Sequence, residues 1–256
     1  MASHSEDTLA QCRWPDLPTP YAAALREAVS FILERCVDTQ GIVVSGTILR
    51  GNPAPSSDLD IYVIRREPQQ QRVQRFFNGV PAEIFINPVC KVLDYLASEQ
   101  REARPITAHM ISTGFTILDF EGVVASLQAR ARELLETPPT LSAEALTGAR
   151  YRAAARYEDA TDIVRDRPET ARMILGLAVY QMLHYHFLAA RRFLPRDKDL
   201  VDVLASWDTP LGDLARRFYG TATLEEALAL AEQIADHTIA TRGFFEWESA
   251  PKTVTV

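Results

Sequence analysis

"SGTILRGNPAPSSDLDIYVI", residues 45–64, decides how the rest of the chain is read. The apolar run Ile42-Val43-Val44 enters a Gly-Thr pair at Gly46 and Thr47. A loop of ten residues follows, and a second apolar run then opens with Asp58 and Asp60. Side chains alternate along a strand, so Asp58 and Asp60 share one face while Leu59, Ile61 and Val63 share the other. Two carboxylates roughly 7 Å apart on one strand face repel, and leaving them unpaired beside apolar neighbours is costly. A bound divalent cation resolves that conflict. Hard oxygen ligands suit Mg²⁺, which usually completes its shell with substrate phosphates. Gly46 lets a phosphate approach the backbone closely, and its turn offers backbone N–H groups with the Thr47 hydroxyl beside them.

A third acid joins the pattern. In "VPAEIFIN", residues 80–87, Glu83 interrupts an otherwise apolar strand, where a buried charge needs a partner. Beside the aspartates it would complete a triad able to hold two cations roughly 3.5–4 Å apart and clamp a phosphoryl displacement. Each piece alone has a plainer reading. Asp-x-Asp is common, a Gly-Thr turn is usually only a turn, and Glu83 fits the exposed face of an edge strand. Their order sets them apart: strand, Gly-hydroxyl, Arg50-Gly51, a polar Pro-containing loop, Ser57, then Asp-x-Asp opening the next strand.

Over residues 42–86 this arrangement resembles the nucleotidyltransferases of the DNA polymerase β superfamily, whose signature is Gly-Ser, a loop of similar length, Asp-x-Asp and a later strand carboxylate. Thr47 stands where that family usually has serine and keeps the hydroxyl. The helical half that follows resembles, in architecture and loose pattern, the aminoglycoside and related antibiotic nucleotidyltransferases. The resemblance implies attack of an acceptor hydroxyl on the α-phosphorus of a nucleoside triphosphate, with ATP as the expected donor and pyrophosphate leaving. It assigns Asp58, Asp60 and Glu83 to catalysis and to two Mg²⁺ ions, with Glu83 as second-metal ligand or as base. It gives Gly46 and Thr47, with Arg50 and Ser57 beside them, to the triphosphate. The expected acceptor is a small hydroxylated, aminoglycoside-like molecule. Two alternatives stand: a protein or RNA acceptor, as in the nucleotidyltransferases of toxin–antitoxin systems, and a nucleotide-binding regulatory module that has lost catalysis.

Bulk properties narrow the field. The chain has 256 residues, 47% of them hydrophobic and 24% charged, and a net charge of −7; these are the proportions of an ordinary globular protein with one large or two small domains. Basic residues form no run longer than short pairs such as Arg65-Arg66, Arg191-Arg192 and Arg216-Arg217, which disfavours a polynucleotide partner. The acidic balance suits a cationic acceptor, and solubility explains it equally well. Cys12, Cys36 and Cys90 are widely spaced with no CxxC pair. They read as reduced cytoplasmic thiols. The N-terminus has no apolar core of a secretory signal. Residues 173–190 lack charge but contain Gln181, His184 and His186, which favours a buried bundle helix over a membrane span.

The expected fold is α+β: a small mixed sheet with flanking helices, then an all-α bundle. Residues 1–18 read as a flexible arm, 19–139 as the catalytic domain, 140–249 as the bundle and 250–256 as a tail. Thr19-Pro20 predicts a capped helix start, with strands at 41–45 and 59–64. Asn78-Gly79 predicts a tight hairpin. A helix opening at Asn87-Pro88 would carry Val89, Val92, Leu93 and Leu96, followed by a short helix from Ile106, a strand in "FTILDFEG" and a helix over 123–136. After Pro138-Pro139 the periodicity is helical throughout, over 143–165, 168–193, 198–207, 211–219 and 223–242.

In that second half, Arg191, Arg192 and Lys198 stand where the related antibiotic enzymes place basic residues against the triphosphate, and they equally fit a solvated helix end. Arg192 and Lys198 are taken as candidate nucleotide contacts. Glu158 and Asp162, four apart, share a helix face; they would hold acceptor amines in a cleft, or form an ordinary wet face. His184 and His186, two apart, cannot share a face and read as packed polar residues. Trp207, Tyr180 and Tyr185 read as core.

Overall fold

The sheet is assembled around the strand that carries the two aspartates. The structure, a computed structural model, describes residues 7–51, 57–251 and 253. The strands β1 (Thr39–Ser45), β2 (Leu59–Arg65), β3 (Gln71–Phe77), β4 (Val80–Pro88) and β5 (Phe115–Asp119) form one sheet in the order β3-β4-β2-β1-β5. The β2–β4 pair is parallel and the other pairings are antiparallel. The hairpin forms where expected. Asn78 and Gly79 have φ of 45° and 77°, the left-handed backbone that a two-residue primed turn requires.

Period-two alternation gives the sheet two faces. Ile42, Val44, Leu59, Ile61, Val63, Ala82, Ile84 and Ile86 point to one side and pack with Ala24, Leu25, Ala28 and Ile32 of α1 (Thr19–Arg35). Val43, Tyr62 and Ile64 point to the other. There they meet Val92 and Leu96 of α2 (Val89–Glu102), Ala108 and Ile111 of α3 (Ile106–Thr113), and Val124, Leu127 and Ala131 of α4 (Val123–Glu136). Each fully buried Leu or Ile here contributes about 1.5–3 kcal/mol of transfer free energy, so the three-layer core rests on the patterning of β1, β2 and β4. The fold is the expected α+β sheet with flanking helices, followed by a helical region.

Within the α+β unit, local expectations differ in four places. Pro18, not Thr19, is the N-cap of α1, and no side chain caps that end. Leu93 is 43% exposed, because α2 turns only Val92 and Leu96 among its apolar residues fully inward. Asn87 and Pro88 are the last two residues of β4 and not a helix start, and the Asn87 side-chain amide donates to the Tyr62 hydroxyl at 3.1 Å. The expected flexible arm is corrected from residue 7 onward. Leu9, Cys12, Trp14 and Leu17 pack against the sheet core, and the Arg13 N–H donates to the Ile117 carbonyl at 2.8 Å. The Arg26 guanidinium lies 4.3 Å over the Trp14 ring. Apolar burial, not sequence polarity, decides that segment. Residues 1–6, 52–56, 252 and 254–256, which include most of the polar loop and part of the tail, lie outside the described residues.

The chain divides into two compact units, one running to Gln100 and including Pro105–Thr137, the other comprising Arg101–Arg104 and the residues from Pro138 onward. Arg101–Arg104 join the second because the Leu194 N–H donates to the Ala103 carbonyl at 2.7 Å and Arg104 pairs with Asp197 at 3.3 Å. That unit is a bundle of α5 (Ala143–Asp162), α6 (Pro168–Ala189), α7 (Leu200–Ala205), α8 (Thr209–Gly220) and α9 (Leu224–Thr238). Ala153, Ala154 and Ala160 of α5 and Leu175, Val179, Met182, Leu183 and Phe187 of α6 fill its centre. Side-chain caps open three of these helices: Ser142, Asp208 and Thr223 each accept a backbone N–H, from Ala145, Leu211 and Glu226. The expected run to 193 stops at Ala189 because Arg191 turns left-handed (φ 54°). The Arg192 N–H then returns to the Phe187 carbonyl at 2.9 Å, a left-handed helix stop. Among the described residues no helix is long and apolar enough to cross a membrane.

Candidate functional site

Strand register brings the acids together. On the parallel β2–β4 ladder Asp60 is the partner of Glu83; on the β1–β2 ladder Ser45 is the partner of Asp60; on the hairpin Gln74 is the partner of Glu83. Ser45, Asp60, Glu83 and Gln74 therefore form one row across β1, β2, β4 and β3. Neighbouring strands lie about 4.8 Å apart, so the Asp60 and Glu83 side chains leave the same face of the sheet from adjacent positions. Asp58 precedes β2 by one residue, two positions before Asp60. Asp58, Asp60 and Glu83 are all part-buried.

The glycine turn closes on this row. Gly46 has φ 105° and ψ −179°, a region open essentially to glycine alone. A Cβ added there would lie 3.1 Å from Asp60 Oδ2 and 3.6 Å from the Asp58 carbonyl oxygen. The chain continues into a 3-10 turn, Thr47–Arg50, ending at left-handed Gly51 (φ 83°). Thr47 Oγ1 and Ser57 Oγ lie 3.0 Å apart, and Ser57 is buried. That bond joins the two ends of the polar loop. Gly46, Thr47 and Ser57 are thus gathered at the head of β2. The backbone of Arg50 belongs to the same turn, and its side chain lies outside the described residues.

Glu83 has protein partners as well. The Arg72 Nε–H donates to Glu83 Oε1 at 2.7 Å, Arg72 Nη2 donates to the same oxygen, and the Gln74 amide donates to it at 2.6 Å. The strand carboxylate therefore has local compensation besides any cation, which corrects the expectation that a bound metal alone makes it tolerable. Arg72 also lies 5.0 Å over the Phe85 ring. The donor set of the row is nonetheless one that a hard divalent cation favours: carboxylate oxygens on adjacent strands, with no nitrogen or sulfur ligand. The absence of a Gly46 side chain is what lets the turn backbone approach the Asp60 carboxylate this closely.

One register step along the same face, Tyr62 and Phe85 are partners on the β2–β4 ladder, with ring centroids 5.8 Å apart and nearly parallel. They line a cavity of about 440 Å³ together with Arg72, Asn87, Tyr95 and Thr107. Burial pushes the Tyr62 hydroxyl well above its ordinary pKa, so it stays protonated. Glu99, also on the cavity wall, accepts the N–H groups of Thr107 and Ala108 at 2.6 and 3.1 Å; its carboxylate anchors the start of α3. Sequence reasoning missed Arg72 and Gln74. The hairpin register would have found Gln74, since a two-residue turn at Asn78-Gly79 fixes the Gln74–Glu83 pairing.

Arg192 and Lys198 belong to the helical unit. Arg192 is exposed with its guanidinium 4.4 Å over the Trp207 ring, and Lys198 is exposed in the 3-10 turn Asp197–Asp199. Glu158 and Asp162 are exposed on α5. Tyr180, Tyr185 and Trp207 are partly buried against the bundle core. His186 is packed as expected, its ring stacked on Trp207, and its Nε2 lies 2.9 Å from Asp208 Oδ2.

No known protein family and no curated protein matches this sequence. Among solved structures, the chain is similar to the nucleotidyltransferase-like protein of Exiguobacterium sibiricum 255-15, at 16% identity and a TM-score of 0.53, over 84% of this chain and 74% of that one. The likeness is one of fold alone: an α+β unit followed by a helical region.

Proposed function

We propose that the chain is a Mg²⁺-dependent nucleotidyltransferase that moves a nucleoside monophosphate, AMP by preference, from a triphosphate to a hydroxyl of a small acceptor. The observation that carries this reading is the Asp60–Glu83 pairing across the parallel ladder, with Asp58 two positions before and the Gly46 backbone held against the Asp60 carboxylate. Asp58, Asp60 and Glu83 are the residues that would hold Mg²⁺, which when bound offsets charge on the triphosphate and favours ionisation of the acceptor hydroxyl. The Gly46–Thr47 turn would receive the outer phosphates through backbone N–H groups and the Thr47 hydroxyl. Thr47 and Ser57 together hold the loop in position for that contact.

In the proposed reaction the acceptor oxygen bonds to the α-phosphorus, the bond from that phosphorus to the β-bridging oxygen breaks, and pyrophosphate leaves. The hydroxyl proton passes to Glu83 or to water. Such chemistry asks the protein mainly for alignment and charge compensation. The ring-lined cavity beside the row, with Tyr62 and Phe85 on its wall, is sized for one small molecule, and net acidity favours a cationic acceptor of the aminoglycoside kind. The test is pyrophosphate release from the four nucleoside triphosphates with Mg²⁺ and a panel of hydroxylated acceptors that includes aminoglycosides. Release with at least one acceptor, and a mass gain of one nucleotide on it, supports the reading. No release with any acceptor overturns it, and a nucleotide found on protein instead redirects the acceptor class.

A further inference from the structure

In the helical unit three side chains far apart in sequence turn their ligand atoms to one point. His186 Nε2 on α6 and His237 Nε2 on α9 each lie 2.9 Å from Oδ2 of Asp208, which precedes α8. All three ligand atoms lie within 4.8 Å of one another. We propose that His186, Asp208 and His237 form a binding site for a divalent transition-metal cation of the Zn²⁺ class, independent of the oxygen-only row on the sheet.

The surroundings orient each ligand. Asp208 Oδ1 accepts the Leu211 N–H at 3.1 Å as the cap of α8, which turns Oδ2 toward both imidazoles. The His186 ring stacks on Trp207, centroids 5.0 Å apart and 7° from parallel. Trp207 is in turn fixed edge-on by Phe187 at 5.4 Å and covered by Arg192. Such support of ligating groups is what gives a metal site its affinity. The two imidazoles meet edge to face, at 5.6 Å and 71°. Their Nε2 atoms point at a shared oxygen, not at separate acceptors.

The distances suit a tetrahedral ion. Zn²⁺ holds nitrogen and carboxylate oxygen at about 2.0–2.2 Å, which puts adjacent ligand atoms roughly 3.4 Å apart. The two N···O separations already lie inside that edge, and the two imidazole ligand atoms lie within 4.8 Å of each other. The cation takes the place of the protons between Nε2 and Oδ2; in each ring the remaining proton sits on Nδ1, any second ring proton leaves to solvent, and the Nε2 lone pairs and Oδ2 become the ligands. Imidazole nitrogen selects Zn²⁺ and its neighbours over Mg²⁺. Three protein ligands leave a fourth position for water. Side-chain exposures of 18%, 14% and 35% for His186, Asp208 and His237 give the ion a way in from solvent. Bound there, it would tie α6, the start of α8 and α9 together.

The test uses the full chain, stripped with a chelator and kept in millimolar Mg²⁺ so that the oxygen-only row does not compete, titrated calorimetrically with ZnCl₂. One equivalent should bind, with affinity lower by at least about 10-fold in each of His237→Ala and Asp208→Asn. Both variants are chosen to fold: His237 is at the surface, and asparagine still caps α8. Histidine ring ¹⁵N shifts of the native chain give a second readout that needs no variant. Two Nε2 resonances moving on Zn²⁺ addition support the site. Absence of saturable binding, unchanged affinity in either variant, or unmoved ring resonances would overturn it.

Discussion

Asp60 and Glu83 are register partners on the parallel β2–β4 ladder, and the Glu83 carboxylate is at the same time the acceptor of Arg72 and Gln74 from the neighbouring hairpin strand. Like charges opposite one another on a sheet are destabilising by about 0.2–1 kcal/mol. Here the sheet places them together and supplies an arginine beside one of them. The row thus pairs two acidic positions on adjacent strands, and a guanidinium compensates Glu83 on its outer flank.

Asp60→Asn should lower pyrophosphate release by at least about 100-fold while far-UV circular dichroism and the thermal midpoint stay close to native. The substitution keeps size, removes the charge and replaces one acceptor oxygen with an NH₂ group that cannot ligate a cation. An unaffected rate would take Asp60 out of the proposed chemistry.

Arg72→Gln should lower the Mg²⁺ concentration needed for half-maximal activity by about 3- to 10-fold, because the exposed guanidinium with its two charge-assisted bonds then no longer competes for Glu83. Arg72 is 61% exposed along its side chain, so the stability change should be small. A Mg²⁺ titration at fixed triphosphate measures it, and an unchanged midpoint would show that the guanidinium does not compete.

Gly46→Ala should cost about 1–3 kcal/mol of stability by denaturant titration and raise KM for the triphosphate. Both the φ of 105° and the 3.1 Å approach to Asp60 Oδ2 oppose a Cβ. Gly79→Ala is the control. Gly79 shares a positive φ, but nothing lies within 4 Å of its added Cβ, so only backbone strain of about 1 kcal/mol remains. Equal costs at both positions would remove the close approach from the account.

Asp38→Asn should cost about 2 kcal/mol at neutral pH. Burial by itself would raise the Asp38 pKa, but two hydrogen bonds from Arg65, at 2.9 and 3.1 Å, and the Glu67 N–H at 2.8 Å outweigh it, and the net shift is downward. A carboxylate with a depressed folded pKa stabilises fully above its unfolded value near about 4 and loses that contribution as pH falls through the folded value. The native–variant difference should therefore be flat from pH 7 to about 5 and shrink below about 4. Denaturant midpoints at several pH values measure it; a difference that grows toward acid would contradict the ion pair.

Much of the α+β unit is legible one segment at a time. The alternation of "SDLDIYVI" assigns Asp58 and Asp60 to one face, and Asn78-Gly79 dictates a primed turn and with it the Gln74–Glu83 pairing, because a two-residue loop leaves the hairpin a single register. Pro138-Pro139 marks the stop of α4, since neither residue can donate a helical hydrogen bond. These are properties of neighbours in the chain, and local sterics carry them.

Tertiary structure decided the rest. No turn connects β2 directly to β4, so the parallel register that sets Asp60 beside Glu83 follows from packing both strands between α1 and α2–α4. Residues 7–18 are ordered by apolar contact with the sheet, which their polar, proline-punctuated sequence does not announce. His186, Asp208 and His237 have no motif spacing at all. They meet only because the buried stripes of α6, α8 and α9 fix which way each helix faces, and a side chain's partners across a bundle depend on that rotation, not on its own sequence neighbours.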